Sequence, residues 1–96
     1  MDLPTICHPT DRPNLTEVSV GPIELTYSYR TVIRFYGPGE PRFVVRANDW
    51  GPTTGKHLNY CDGGDKAARI PGPEFEARLL AMLERVALVG TSTAAI

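Results

Sequence analysis

Ninety-six residues, 42% hydrophobic and 22% charged, fit one folded domain and leave no room for an enzyme of several lobes. Ten Lys and Arg against eleven Asp and Glu give a net charge of -1, which excludes a strongly basic nucleic-acid coat and a wholesale acidic mimic alike. No apolar run approaches the roughly 20 residues of a membrane-spanning helix, and Asp2, Pro4 and His8 do not follow the order of a secretory signal, so a cytoplasmic location is expected.

Residues 1 to 15 carry Pro4, Pro9 and Pro13, which supply no ladder donors, and are expected to form an irregular arm, either loose or strapped over a sheet. From Ile23 to Tyr36 the odd positions (Ile23, Leu25, Tyr27, Tyr29, Thr31, Ile33, Phe35) are apolar, aromatic or β-branched, and the even ones are mostly polar. That alternation predicts one long strand with a single face on the core. Before it, Val18-Ser19-Val20 and Gly21-Pro22 predict a two-residue hairpin that pairs Val20 with Ile23 and Val18 with Leu25. After it, Gly37 to Pro41 is turn chemistry; a five-residue loop sets Tyr36 against Arg42, Phe35 against Phe43 and Ile33 against Val45. The expected sheet is an antiparallel meander of residues 16 to 20, 23 to 36 and 42 to 47.

Such a sheet needs a cover. Thr53 or Thr54 can cap a short helix running to about Cys61, with Asp62 to Asp65 as the turn that ends it. Gly72-Pro73-Glu74 opens a longer helix whose apolar stripe is Phe75, Leu79, Met82, Leu83, Val86 and Val89, with Gly90 as its stop and residues 91 to 96 as a frayed tail. The fold class is therefore α+β: one domain over residues 16 to 90, a three-stranded antiparallel β-meander packed on its odd-numbered face by both helices.

Three groups of residues could carry chemistry. Arg30, Arg34, Arg42 and Arg46 fall at even positions of the expected strands, interleaved with Val32, Tyr36 and Val44. On one open face they could grip carboxylates of a protein, or track phosphates while Tyr36 stacks on a base. Trp50, Thr53, Thr54, Lys56 and His57 surround the start of the short helix, where free N–H groups favour an anion; without spaced glycines and a Gly-Lys-Ser/Thr ending this is not a phosphate-binding loop. The plainer alternative has Thr53 capping, His57 and Leu58 packing under the sheet and Trp50 plugging the core edge. Cys7, His8, His57 and Cys61 make a poor metal set, because neighbouring side chains diverge and no Cys-x-x-Cys is present. Asp49, His57, Asp62 and Asp65 lack an accompanying nucleophile, so no catalysis, metal or cofactor is expected.

The strand residues Tyr29, Thr31, Ile33 and Phe35, then Val44-Val45-Arg46, then Trp50 and the run Thr53-Thr54-Gly55-Lys56-His57-Leu58-Asn59 resemble small, largely uncharacterised proteins of phages, plasmids and other mobile elements. Those share a box of the form Thr-Thr-x-Lys-His after a short β-region, and the resemblance spans roughly residues 26 to 62. It implies an accessory role in handling nucleic acid or opposing host defence, and no settled activity. The expectation is a non-catalytic protein that binds and inhibits a host protein or nucleoprotein assembly, as an anti-CRISPR does. A small nucleic-acid-binding protein using the arginine face is the alternative, and an edge strand leaves a homodimer open.

Overall fold

A strand of fourteen residues would run about 46 Å at ~3.3 Å per residue, with both long edges needing partners. The computed structural model, which describes residues 5–8 and 13–94 (87–94 as backbone alone), folds that segment back on itself instead. In chain order the sheet contains β1 (Thr5–Cys7), β2 (Leu15–Val20), β3 (Ile23–Ser28), β4 (Thr31–Tyr36) and β5 (Val44–Val45). All pairings are antiparallel and sequential, so five strands replace the three expected. The expected long strand is two strands joined by a two-residue turn, Tyr29-Arg30, with Ser28 paired to Thr31. Tyr29 supplies the positive φ of 56° that such a turn demands. The arm expected to be irregular contributes β1, while residues 1–4 and 9–12 lie outside the described residues.

The hairpin at Gly21-Pro22 has the expected register, Val20 to Ile23 and Val18 to Leu25, and Gly21 takes a φ of 56°. At the other end the register differs by one: Phe35 pairs with Val44 and Arg34 with Val45, so Tyr36 meets Phe43 rather than Arg42. The longer loop lets Val44 rather than Phe43 fill the core beside Phe35.

A bulge decides the faces. The β3–β4 register shifts between Thr26 and Tyr27, which leaves Ile33 without a partner between Val32 and Arg34. The extra residue turns Ile33 to the side of Arg34, Thr26 and Ser28, while Phe35, Leu25 and Ile23 occupy the opposite side. Both sides are consequently covered. The helix α1 (Pro52–Asp62) packs Leu58 with Leu15, Ile33 and Val45 on one face. The helix α2 (Gly72–Ala94) packs Phe75, Leu79, Met82 and Val86 with Ile23, Phe35 and Val44 on the other. This corrects the reading that both helices share the odd-numbered face. Phe75 meets Phe35 edge to face, with centroids 5.2 Å apart.

Helix termini follow local chemistry with two departures. Pro52 at the first helical position and Gly51 before it start α1, so Thr53 and Thr54 lie inside the first turn and do not cap it. Gly63, at φ 66°, closes it by donating its N–H to the Asn59 carbonyl. The helix α2 opens at Gly72-Pro73-Glu74 as expected but continues past Gly90 to Ala94, since an interior glycine costs a helix only about 1 kcal/mol. Between the helices a single 3-10 turn, Lys66–Ala68, leads to Ile70, which bonds to Val45 and Ala47 and so occupies the outer edge of β5. Arg69 ties that connection to α1 through Asp62 at 2.7 and 2.9 Å.

Candidate functional site

The end of α1 nearest β3 holds a buried polar cluster. His57 is 3% exposed; its Nε2 lies 2.9 Å from the Pro13 carbonyl and its Nδ1 lies 2.6 Å from Ser28 Oγ. A carbonyl can only accept, so Nε2 carries a proton; in the neutral ring Nδ1 then accepts and the Ser28 hydroxyl donates to it. The Ser28 oxygen is then free to accept from Thr54 Oγ1 at 3.2 Å. One neutral tautomer thus satisfies the whole chain, and the cluster fastens β3, α1 and the corner before β2 to one another.

Two left-handed residues stand beside this cluster. Asn14 at φ 66° and Tyr29 at φ 56° face each other, the Tyr29 N–H donating to the Asn14 carbonyl at 2.8 Å. Left-handed backbone at a tyrosine costs roughly 1–2 kcal/mol, and the turn holds it there with the ring 54% exposed, its centroid 6.2 Å from the His57 ring.

Asn14 and Tyr29 also separate two open grooves. The first, of about 800 Å³, has Ser28 and Thr54 in its floor and Arg30 and Trp50 at its rim. The second, of about 750 Å³, runs between Pro13 and the exposed side of α1, past Thr53, Lys56 and Tyr60. Trp50 is 46% exposed and lies against the Arg46 guanidinium, 4.6 Å from the ring centroid, while its backbone N–H donates to Asn48 Oδ1. The charged residues lining both grooves, among those described, are the cations Arg30 and Lys56; no Asp or Glu lines either.

The four arginines expected on one open face are dispersed. Arg30 sits in the exposed β3–β4 turn. Arg34 faces α1, donating to Thr26 Oγ1 at 3.0 Å and stacking 4.3 Å from the Phe43 centroid. Arg42 is exposed beyond it, beside a small hollow of about 260 Å³ shared with Asp62 and Asp65. Arg46 is 6% exposed on the α2 face, between Trp50 and Phe75, and bonds to Asp49 at 3.1 Å and Glu76 at 3.4 Å. The one-residue change in β4–β5 register sets Arg34 beside Val45 and leaves Arg46 on the opposite face with Val44, and a helix covers each face. Tyr36 and Phe43, with centroids 5.3 Å apart, form a second exposed aromatic pair next to Arg34, on the α1 side of the sheet but at the end of β4 away from the Tyr29-Arg30 turn.

Of the expected site residues, Arg30, Trp50, Thr53, Thr54, Lys56 and His57 therefore gather around the paired grooves. Arg34, Tyr36 and Arg42 belong elsewhere, and Arg46 supports Trp50 from beneath. Nothing in the sequence marks Ser28, Tyr29 and Asn14 as site residues: Tyr-Arg has no turn signature and Ser28 continues an apparent strand. Cys7, His8, His57 and Cys61 do not converge: His8 meets Thr16, both His57 nitrogens are occupied, and Cys61 packs beside the Leu15 cluster. Among the described residues no three His, Cys, Asp or Glu side chains gather as a metal set, and no helix is long and apolar enough to cross a membrane. Burial pushes the Cys61 thiol up to about 11, and the hydrogen bonds from Arg69 hold the Asp62 carboxyl below the usual carboxylate range.

The chain belongs to a family of unknown function, DUF8033, whose model matches residues 10–77. That span takes in β2 to β5, α1 and the first turn of α2, hence both grooves apart from the contribution of His8. Neither the curated proteins nor the solved structures contain a match.

Proposed function

We propose that this member of the DUF8033 family is a non-catalytic binding protein that occupies a surface of a host protein or nucleoprotein assembly, acting as an inhibitor of the anti-defence kind. The observation that carries the reading is the exposure of Tyr29 and Trp50 at paired grooves whose wall is braced by the His57 cluster. Aromatic side chains held rigidly at a concave surface bring large contact area at small entropic cost, which is what interface anchors supply. The accessory role in a mobile element rests on the resemblance of the Thr53-Thr54-Gly55-Lys56-His57 box. The box divides its labour: Thr54 and His57 point into the brace, while Thr53 and Lys56 line the second groove.

The Ser28–His57 contact has the composition of a nucleophile and its base. Here the imidazole is backed by the Pro13 carbonyl rather than a carboxylate, and the serine is 3% exposed, so the pair serves as a fastener. Covalent labelling of Ser28 by an alkyl fluorophosphonate would overturn the non-catalytic part of the reading.

The test is capture from bacterial lysate with the full chain against Trp50→Ala, each in nuclease-treated and untreated halves. A defined set of bound macromolecules that disappears with Trp50→Ala, at unchanged thermal melting, supports recognition at the grooves. Identical capture by both chains places recognition elsewhere and sinks it.

A further inference from the structure

Four observations bear on what fills the paired grooves. First, their described lining is cationic in a chain whose net charge is -1: Arg30 and Lys56 face them and no carboxylate does. Two cations in that described lining favour an anionic occupant. Second, neither cation has a salt-bridge partner among the described residues, whereas Arg46, Arg69 and Arg78 are all paired. Their charge is left for the occupant. Third, the exposed rings are distributed along the channel, with Trp50 at the first groove and Tyr29 at the divide. Aromatic faces spaced along a cationic channel suit successive bases of an unpaired strand. Fourth, Tyr29 is held in left-handed backbone, so the fold tolerates strain at the residue that projects between the grooves. Each groove also falls in the size range of sites that take a molecule as large as a nucleotide.

We infer that the paired grooves bind single-stranded nucleic acid, with bases stacking on Tyr29 and Trp50 and phosphates meeting Arg30 and Lys56. The inference rests on the reading of the protein as a binding module and names the occupant of its grooves. Asn14, which lines both grooves, can offer its amide to a base edge, and Asn59, whose oxygen accepts from Arg69, can offer its NH2 group. Duplex is a poor ligand, because its base faces are already stacked. Binding is only weakly salt-dependent, since two cations release few counterions: the slope of log affinity against log salt is about -1.4. Arg46 behind Trp50 contributes by holding the indole in place and takes no phosphate itself.

The experiment titrates the full-length protein with a fluorescently labelled 20-nucleotide oligothymidine and, separately, oligouridine, with a duplex of equal length as control. Anisotropy reports binding, and emission of the chain's single tryptophan, Trp50, reports stacking at the site. The expected result is saturable binding of a single strand accompanied by quenching of Trp50, with duplex much weaker. Tyr29→Gly relieves the backbone strain and is expected to melt within about 5 °C of the wild type while binding roughly 5- to 150-fold more weakly. Lys56→Ala should reduce the magnitude of the salt slope by about 0.7. Absence of single-strand binding, binding without Trp50 quenching, or equal affinity for the Tyr29→Gly chain overturns the inference. If single strands fail while a nuclease-resistant protein is captured by the wild type and lost with Trp50→Ala, the occupant is a protein segment and the binding-module reading survives alone.

Discussion

Replacing His57 with alanine removes the node on which three segments meet, and the loss can be worked from its contacts. Two hydrogen bonds disappear, to Ser28 at 2.6 Å and to Pro13 at 2.9 Å. Each is worth about 1 kcal/mol net. Ser28 retains Thr54 as a partner and the Pro13 carbonyl lies near solvent, so neither becomes a fully orphaned buried group. The vacated imidazole volume adds about 1 kcal/mol of lost packing, for a total near 3 kcal/mol. In a domain of this size that corresponds to a fall of about 12–24 °C in Tm, or about 2 M in the urea midpoint at a slope of ~1.5 kcal/mol/M. Urea unfolding followed by circular dichroism reads it directly. Ser28→Ala, alone and combined with His57→Ala, should show a coupling of about 1 kcal/mol, because the same Ser28–His57 hydrogen bond is lost in either single variant. A total loss below about 1 kcal/mol, less than a hydrogen bond and a ring together can contribute, would refute the account of the cluster as a brace.

Arg46→Glu places a carboxylate where the arginine side chain is 8% exposed, beside Asp49 and Glu76, and should destabilise by about 3 kcal/mol or more in urea unfolding; Arg30→Glu and Arg42→Glu, both exposed, should stay within about 0.5 kcal/mol in the same assay. Burial raises the Cys61 thiol to about 11, so the folded chain holds this proton more tightly than the unfolded one. Its stabilising contribution is complete below about pH 8.5 and is lost as pH rises through 11, and Cys61→Ala should flatten that part of the pH–stability curve. At pH 8.5 a thiol reagent should likewise modify exposed Cys7 well before Cys61, with the rates converging in denaturant. A methyl at Gly37 would approach Met82 Sδ to 2.6 Å, so Gly37→Ala should cost about 1–2 kcal/mol in urea unfolding, and less when Met82 is shortened to alanine.

Local chemistry made several parts legible in advance. Gly21-Pro22 specified both a turn and its register, Gly63-Gly64 the end of α1, and Gly72-Pro73-Glu74 the start of α2. The stripe of Phe75, Leu79, Met82 and Val86 identified the side of α2 that meets the sheet. The placement of Leu58 and His57 beneath the sheet was also readable, since both fall on one side of a short helix. What could not be read was the turn at Tyr29-Arg30, because alternation passes through it unbroken and neither residue favours a turn by itself. The bulge at Ile33 was equally silent: its effect, turning Ile33 to the side of Arg34, emerges only when two strands are compared. The β4–β5 register, one residue from that expected, was hidden as well, so the odd-even pattern placed Arg34 and Arg46 together, although one faces α1 and the other α2.

By itself the sequence determined that this is an α+β chain, because period-two and period-3.6 hydrophobic patterns and glycine or proline at turns are properties of a few adjacent residues. Tertiary structure decided the number of strands, the face each helix covers, and the meeting of Pro13, Ser28, Thr54 and His57 that braces the grooves. Those depend on register between segments up to 44 residues apart, and register is an energy shared by two strands or a strand and a helix. A tyrosine is held at a left-handed turn between the Asn14 carbonyl that its N–H bonds and Ser28, itself tied to His57, a constraint that no window of contiguous residues contains.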